Sequence, residues 1–111
     1  MPVVFSAILD ELKKELAALA KSTLANYVKE AKKDTQSIIN ASQEKLERWT
    51  KLLEAGSLTV NEFEWLVNSQ KDLIKMEALK KAGLSKIKAD QFKESVFILL
   101  VDGILKSLKI I

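Results

Sequence analysis

Apolar side chains recur at helical spacing through the first half of the chain, over residues 6–55, where there is neither glycine nor proline. Successive members of this pattern lie three or four residues apart and repeat after eleven residues, which corresponds to about 3.67 residues per turn. A stripe with this period stays on one side of a nearly straight helix. Its members are Leu16, Ala20, Leu24, Tyr27, Ala31, Thr35, Ile38, Ser42, Leu46, Trp49 and Leu53.

The stripe predicts a very long N-terminal helix over about 6–55, which would measure about 75 Å. The alternative is a break near residue 34, because Lys32 and Lys33 suit a helix end and Asp34 suits the N-cap of a following helix. That break would give four helices of similar length, able to form a four-helix bundle. The apolar stripe passes through residues 31–38 without a change of phase, which favours the continuous helix.

A tight turn is predicted at 56–59. Gly56 can adopt the left-handed backbone conformation that ends a helix. Thr59 and Glu62 have the spacing of a capping box, and Leu58 and Phe63 have the spacing of a hydrophobic staple at a helix start. These independent signals together indicate a helical hairpin.

A second helix is predicted over about 60–82, followed by a turn at 83–85. Gly83 and Leu84 suit a Schellman ending, in which Leu84 packs back on the helix. The tryptophans Trp49 and Trp65 are equidistant from the first turn, and we expect both to close the core beside it. The inner face of the second helix is predicted to consist of Phe63, Leu66, Val67, Gln70, Leu73 and Ile74.

A C-terminal helix is predicted over about 86–109. Its first half is amphipathic, with an inner face through Ile87, Phe92 and Val96. Its second half contains six consecutive apolar residues, 96–101, which point in every direction around the helix. A helix that is apolar on all sides must be buried on all sides.

The predicted fold is therefore all-α, in a single helical domain over residues 1–111. If the first helix is straight, its N-terminal apolar positions have no partner in the same chain, and two neighbouring helices cover only part of the C-terminal helix. Exposed apolar surface of this extent usually marks an interface. The predicted interaction surface consists of Phe5, Leu9, Leu12, Leu16, Leu19, Phe97, Leu100, Val101 and Ile104.

The composition limits the chemistry that the chain can perform. There is no cysteine and no histidine, so thiolate metal sites and the commonest general base are excluded. The acidic residues are interleaved with lysines, and we expect no metal, no cofactor and no enzymatic activity. Asp102 lies within the most apolar helix, where it either pairs with Lys106 one turn away or has a buried or interfacial role.

The chain carries 18 basic and 15 acidic residues, a net charge of +3, with the two signs mixed along the sequence. A dedicated nucleic-acid binder concentrates its basic charge, so this partner class is not expected. The lysines around the second turn indicate either an anion-binding patch or solvated helix ends: Lys80, Lys81, Lys86, Lys88 and Lys93. With no basic leader and no apolar run of about 18 residues, the expected location is cytoplasmic.

Residues 46–63 have the pattern L-x-x-W-x-x-L-L-x-x-G-x-L-T-x-x-E-F. This segment resembles the SHOCT motif, a short helical hairpin, through Leu46, Leu52, Leu53, Gly56, Leu58, Thr59, Glu62 and Phe63. The resemblance covers only this hairpin, and it implies a role in oligomerisation.

These observations favour a non-enzymatic helical interaction or oligomerisation protein. We expect a homo-oligomer, with a different protein partner as a further possibility. One alternative is a protein that lies on a membrane surface through an amphipathic helical face. A second alternative is a nucleic-acid accessory protein that uses the lysines near the second turn.

Overall fold

The computed structural model describes residues 4–109 and confirms the all-α class, because this part of the chain contains helices and turns and no strand. A 3₁₀ turn, Ala25–Tyr27, separates the first two helices. The helices are α1 (Phe5–Thr23), α2 (Val28–Glu54), α3 (Val60–Asp72), α4 (Glu77–Lys81) and α5 (Lys86–Ser107).

The predicted continuous helix over about 6–55 is divided into α1 and α2. The alternative expectation was a helical bundle with a break near residue 34. The structure is compatible with a helical bundle, but the break lies at residues 24–27, upstream of residue 34, which is within α2. The longest dimension of the molecule is 44 Å, whereas an unbroken helix of that span needs about 75 Å.

Two hydroxyls hydrogen-bond to the backbone in the last turn of α1. The hydroxyls of Ser22 and Thr23 donate to the Leu19 carbonyl, at 3.1 Å and 2.6 Å. Serine and threonine are weaker helix formers than alanine or leucine, so this turn is a favourable place for the helix to end. The Tyr27 amide then donates to the Leu24 carbonyl at 2.8 Å, which closes the 3₁₀ turn.

Folding back at this turn gives the apolar stripe of α1 partners within the same chain. Helix α1 packs against both α2 and α5. Ala20 before the break and Ala31 after it are both fully buried, so the two halves of the stripe face one core. This core also takes in the inner faces of α3, α4 and α5.

The turn predicted at 56–59 is confirmed. Gly56 has a φ of 76°, and the Ser57 amide donates to the Leu52 carbonyl at 2.9 Å. The Thr59 hydroxyl accepts from the Glu62 amide at 3.1 Å, and the Glu62 carboxylate accepts from the Thr59 amide at 2.9 Å. Both halves of the capping box are therefore formed.

The second predicted helix, 60–82, is also divided, into α3 and α4 joined by a linker over residues 73–76. Leu73, which was assigned to the inner face, is 73% exposed. The Asp34 carboxylate reaches from α2 to the start of α4, where it accepts from the amides of Ala78 and Leu79, both at 2.9 Å. This side chain supplies the N-terminal cap that α4 lacks in its own sequence.

Helix α5 begins where it was predicted. Gly83 has a φ of 103°, and the Leu84 amide donates to the Leu79 carbonyl at 3.1 Å, as the Schellman ending requires. Ser85 is the N-cap of α5 and accepts from the Lys88 amide at 3.2 Å. The helix then runs along α1 and α3.

Candidate interaction surface

Helix α5 leaves one face uncovered, although most of its other directions are buried. On this face Ile87 is 72% exposed and Ile98 is 53% exposed. The two isoleucines are eleven residues apart, about three helical turns, so their side chains leave the helix on the same side. Gln91 and Glu94 lie between them and are also exposed. We call the face formed by these four residues the outer face of α5.

A shallow groove runs beside the outer face, between α3 and α5. Its volume is about 230 Å³. Phe97, Ile98 and Val101 provide its apolar surface, and three carboxylates provide most of its polar surface. We call it the α3–α5 groove, and its lining residues are Glu64, Asn68, Glu94, Phe97, Ile98, Val101 and Asp102.

Two of the three carboxylates in this groove are available to a partner. Lys71 forms an ion pair with Glu94 and links α3 to α5. Within residues 4–109, no hydrogen bond or ion pair engages the side chains of Glu64 and Asp102. The groove therefore combines an apolar floor with uncompensated negative charge, a combination that favours an apolar segment flanked by cations.

Trp65 was predicted to close the core beside the first turn, and this prediction is wrong because the side chain is 69% exposed. It lies on α3 beside Glu64 in sequence and three residues before Asn68, both of which line the groove. Trp49 is partly buried and packs against the core, as expected. Aromatic side chains are enriched in the centres of protein interfaces, and Trp65 adds such a residue to this region.

The structure places the predicted interaction residues mainly in the intrachain core. Because α1 folds back onto α2 and α5, its stripe does have a partner in the same chain, and the reason for expecting an interface there no longer holds. Leu19 is partly buried against the core, and Val101 is partly exposed in the groove. The buried members are Phe5, Leu9, Leu12, Leu16, Phe97, Leu100 and Ile104.

Sequence reasoning missed Ile87 and Ile98 as surface residues. Ile87 was assigned to the inner face of α5, but it lies in the first turn of that helix and is exposed. Ile98 is one of six consecutive apolar residues, and the sequence alone does not show which of these directions stays open. The spacing of eleven residues between the two isoleucines was the signal that could have linked them.

The lysines around the second turn are not equivalent. Lys80, Lys81, Lys86 and Lys88 are exposed. Lys93 is partly buried and donates to the Ile74 carbonyl at 3.0 Å, so it fastens α5 to the linker between α3 and α4. The exposed lysines therefore lie at the end of the molecule where α5 begins.

A cleft is formed by the break between α1 and α2 on one side and by α5 on the other. Its volume is about 570 Å³, within the range of small-molecule sites. Among the described residues that line it, Lys88 carries the charge and Tyr27 provides a phenolic hydroxyl, and none is a carboxylate. Its lining residues are Thr23, Leu24, Ala25, Asn26, Tyr27, Leu84, Lys88, Gln91, Phe92 and Ser95.

Other candidate chemistry can be placed in the same region. Asp102 is exposed at the rim of the groove, and no ion pair joins it to Lys106 within the described part of the chain. Residues 4–109 contain no group of three or more acidic side chains arranged to hold a metal ion. Among the helices of the same residues, none has the length and apolar character needed to cross a membrane.

Comparison of the chain with protein-family models, with curated proteins and with solved structures finds no match.

Proposed function

We propose that this chain is a non-enzymatic helical interaction module that self-associates through the outer face of α5. The observation that carries the proposal is the exposure of Ile87 and Ile98 on one face of a helix that is otherwise largely buried. Leaving a large aliphatic side chain in water forfeits about 1.5–3 kcal/mol relative to full burial. Two such side chains on one face, beside the α3–α5 groove, are typical of an interaction surface.

Two features of the sequence support the same function. The hairpin of α2 and α3 contains the residues that resemble the SHOCT motif, and this resemblance implies oligomerisation. The chain has neither histidine nor cysteine, so it cannot form the Ser–His or Cys–His pairs that most often activate a nucleophile. An interaction role requires only surface, and the outer face of α5 with its groove supplies that.

The test is the solution mass of the full chain, measured by light scattering over a dilution series from micromolar to millimolar. We expect the wild-type mass to rise with concentration and Ile98→Asn to stay monomeric. The matched control is Val4→Asn, which removes a 63% exposed apolar side chain just before the start of α1 and outside the residues of the hairpin and of α5. This control should associate like the wild type. A wild-type mass that stays monomeric throughout would refute self-association.

A membrane surface is the second candidate, and one observation favours it. Ile87 is exposed between Lys86 and Lys88, which gives the start of α5 an apolar residue flanked by cations. Such a tip can bind anionic lipid headgroups while it inserts one side chain. Flotation with vesicles that contain phosphatidylserine would retain the wild type and lose Ile87→Asn. Equal recovery of the two proteins would count against this candidate.

A further inference from the structure

We infer that the partner for this surface is a second copy of the chain, with the two α5 helices packed antiparallel about a twofold axis. This inference rests on the proposed function and specifies its geometry. Ile87 of each copy enters the α3–α5 groove of the other copy, against Ile98. Three arguments support the arrangement: the charge along α5, the free ionic groups and the register of the exposed face.

The charge of α5 differs between the two stretches that form its exposed face. Residues 85–93 contain three lysines and one aspartate, whereas residues 94–102 contain one glutamate, one aspartate and no basic residue, and Lys106 follows in the last turn. Antiparallel pairing therefore places the basic stretch 85–93 of each copy opposite the acidic stretch 94–102 of the other. Parallel pairing would place like charges together, which disfavours association.

The groups that remain free inside the monomer have matching numbers and opposite signs. Glu94 is engaged by Lys71, and Lys93 is engaged by the Ile74 carbonyl. Within residues 4–109, the carboxylates left at the groove are those of Glu64 and Asp102. The cations left at the start of α5 are those of Lys86 and Lys88, whose side chains are exposed. The two sets have opposite signs, and antiparallel pairing brings each set towards the other set of the second copy.

The exposed face of α5 is also self-complementary in register. A twofold arrangement that places Ile87 opposite Ile98 of the second copy also places Gln91 opposite Glu94 of the second copy, because both pairs are centred between residues 92 and 93. The Gln91 amide can then donate to the Glu94 carboxylate. Each apolar contact and each amide–carboxylate contact occurs twice, and the axis passes through the middle of the face.

A twofold contact of this kind uses the same surface on both copies and closes on itself. The assembly therefore stops at two chains. The α3–α5 groove has a volume of about 230 Å³, which is too small to enclose a drug-sized molecule, and it is filled by a side chain of the second copy. The expected species is a dimer whose stability falls as salt screens the charges between the copies.

The experiment reverses the charge of each half of the surface in separate variants of the full chain. Lys86→Glu/Lys88→Glu makes the start of α5 acidic, and Glu64→Lys/Asp102→Lys makes the groove basic. Each variant alone places like charges together, and we expect its dimer to be at least about tenfold weaker than the wild type. Mixing the two variants restores opposite charges at both contacts, and we expect a mixed dimer of near wild-type affinity.

The matched control for Lys86→Glu/Lys88→Glu is Lys29→Glu/Lys33→Glu, which makes the same change in net charge on the exposed side of α2. This control should dimerise like the wild type. Thermal unfolding by circular dichroism checks that all variants fold. Sedimentation equilibrium measures the mass of each protein and of the mixture. Two further variants keep the wild-type charges and carry either Ile87→Asn or Ile98→Asn. Each of these substitutions should abolish the dimer.

The outcomes separate this inference from the proposed function. Recovery of a dimer in the mixture, with a mass that stops at two chains, supports the antiparallel α5 pair. A wild-type protein that associates while the mixture does not recover overturns the arrangement and leaves self-association standing. A mass that grows beyond two chains also overturns the twofold arrangement. A wild-type protein that remains monomeric to millimolar concentration overturns both.

Discussion

The two connections that flank α3 differ in where their hydrogen-bond partners come from. In the turn between α2 and α3, Gly56 provides the left-handed conformation, and Thr59 and Glu62 cap each other. Every bond in this turn joins residues of one short segment. The backbone groups at the two helix ends are satisfied locally, so the sequence alone specifies the turn.

The linker between α3 and α4 is stabilised by side chains from other helices. Asp34 on α2 caps the start of α4, and Lys93 on α5 donates to the Ile74 carbonyl. The partners of Asp34 are 44 and 45 residues away in sequence. The hydrogen bonds of this connection join α2 to α4 and α5 to the linker, so the stability of the connection depends on the tertiary structure.

The largest effect should follow from removing the remote cap. Asp34 is 4% exposed, and Asp34→Ala leaves the amides of Ala78 and Leu79 without an acceptor in a buried region. We expect the free energy of unfolding to fall by about 2–3 kcal/mol, measured by urea denaturation. Hydrogen exchange at these two amides should accelerate in parallel.

Two further variants define the remote cap more closely. Asp34→Asn keeps one acceptor oxygen and should lose less stability than Asp34→Ala. Asp10→Ala, on the exposed side of α1, should change the free energy of unfolding by no more than about 0.5 kcal/mol. If Asp34→Ala is as harmless as Asp10→Ala, the linker does not depend on its remote cap and the contrast between the two connections disappears.

The next effect belongs to the local turn. Gly56 has a φ of 76°, and nothing lies within 4 Å of the position that a Cβ atom would take. A Gly56→Val variant therefore tests backbone conformation alone, and we expect a loss of about 1–2 kcal/mol in the free energy of unfolding. Gly56→Asn should recover part of that loss, because asparagine tolerates the left-handed region.

The neighbouring residue offers a control for this substitution. Ala55 has a φ of −78°, so Ala55→Val introduces the same side chain at an ordinary backbone conformation. Its cost should remain well below that of Gly56→Val in thermal unfolding. Equal costs at the two positions would mean that the left-handed conformation of Gly56 does not determine the stability of the turn.

The same contrast explains what could be predicted from the sequence. The hairpin turn and the start of α5 depend on local signals, and both were predicted correctly. Asp34 was recognised as a residue suited to capping a helix, but the helix that it caps is α4, far along the chain. Sequence spacing identifies a capping residue, and only the tertiary structure identifies its partner.

The apolar stripe continues across the break between α1 and α2 without a change of phase. Ala20 and Ala31 are buried on opposite sides of that break. The period therefore reports burial against a common core and carries no information about helix continuity. The local signals for the break were Ser22, Thr23 and Asn26, residues that favour turns and helix ends over helix interiors.

The candidate surface was the least predictable part, for a related reason. A helix that is apolar in nearly every direction does not specify which direction its neighbours leave open. Burial of Leu100 and Ile104 and exposure of Ile98 follow from where α1 and α3 lie against α5. The charge reversal along α5 was visible in the sequence, but its meaning depends on that exposed face.

The smallest effect is the pH dependence of the stability of the turn between α2 and α3. This pH dependence reports on the capping box alone. The Thr59 backbone amide and then the Thr59 hydroxyl hydrogen-bond to Glu62 and hold the pKa of its carboxyl below the usual value of 4.5. Because the folded-state pKa is the lower one, protonation favours the unfolded chain. The stabilising contribution is complete above pH 4.5 and is lost as the pH falls through the folded-state value.

The variant that tests this contribution is Glu62→Gln, which keeps an acceptor for the Thr59 amide and cannot titrate. The difference in unfolding free energy between wild type and Glu62→Gln should therefore favour the wild type most at neutral pH and shrink as the solution is acidified. Glu44→Gln, at an exposed position of α2, should show no such trend. Chemical denaturation at a series of pH values measures both differences. A difference for Glu62→Gln that stays constant with pH would show that the capping box contributes through hydrogen-bond geometry alone, and the local turn would then respond to acid no differently from an exposed helix surface.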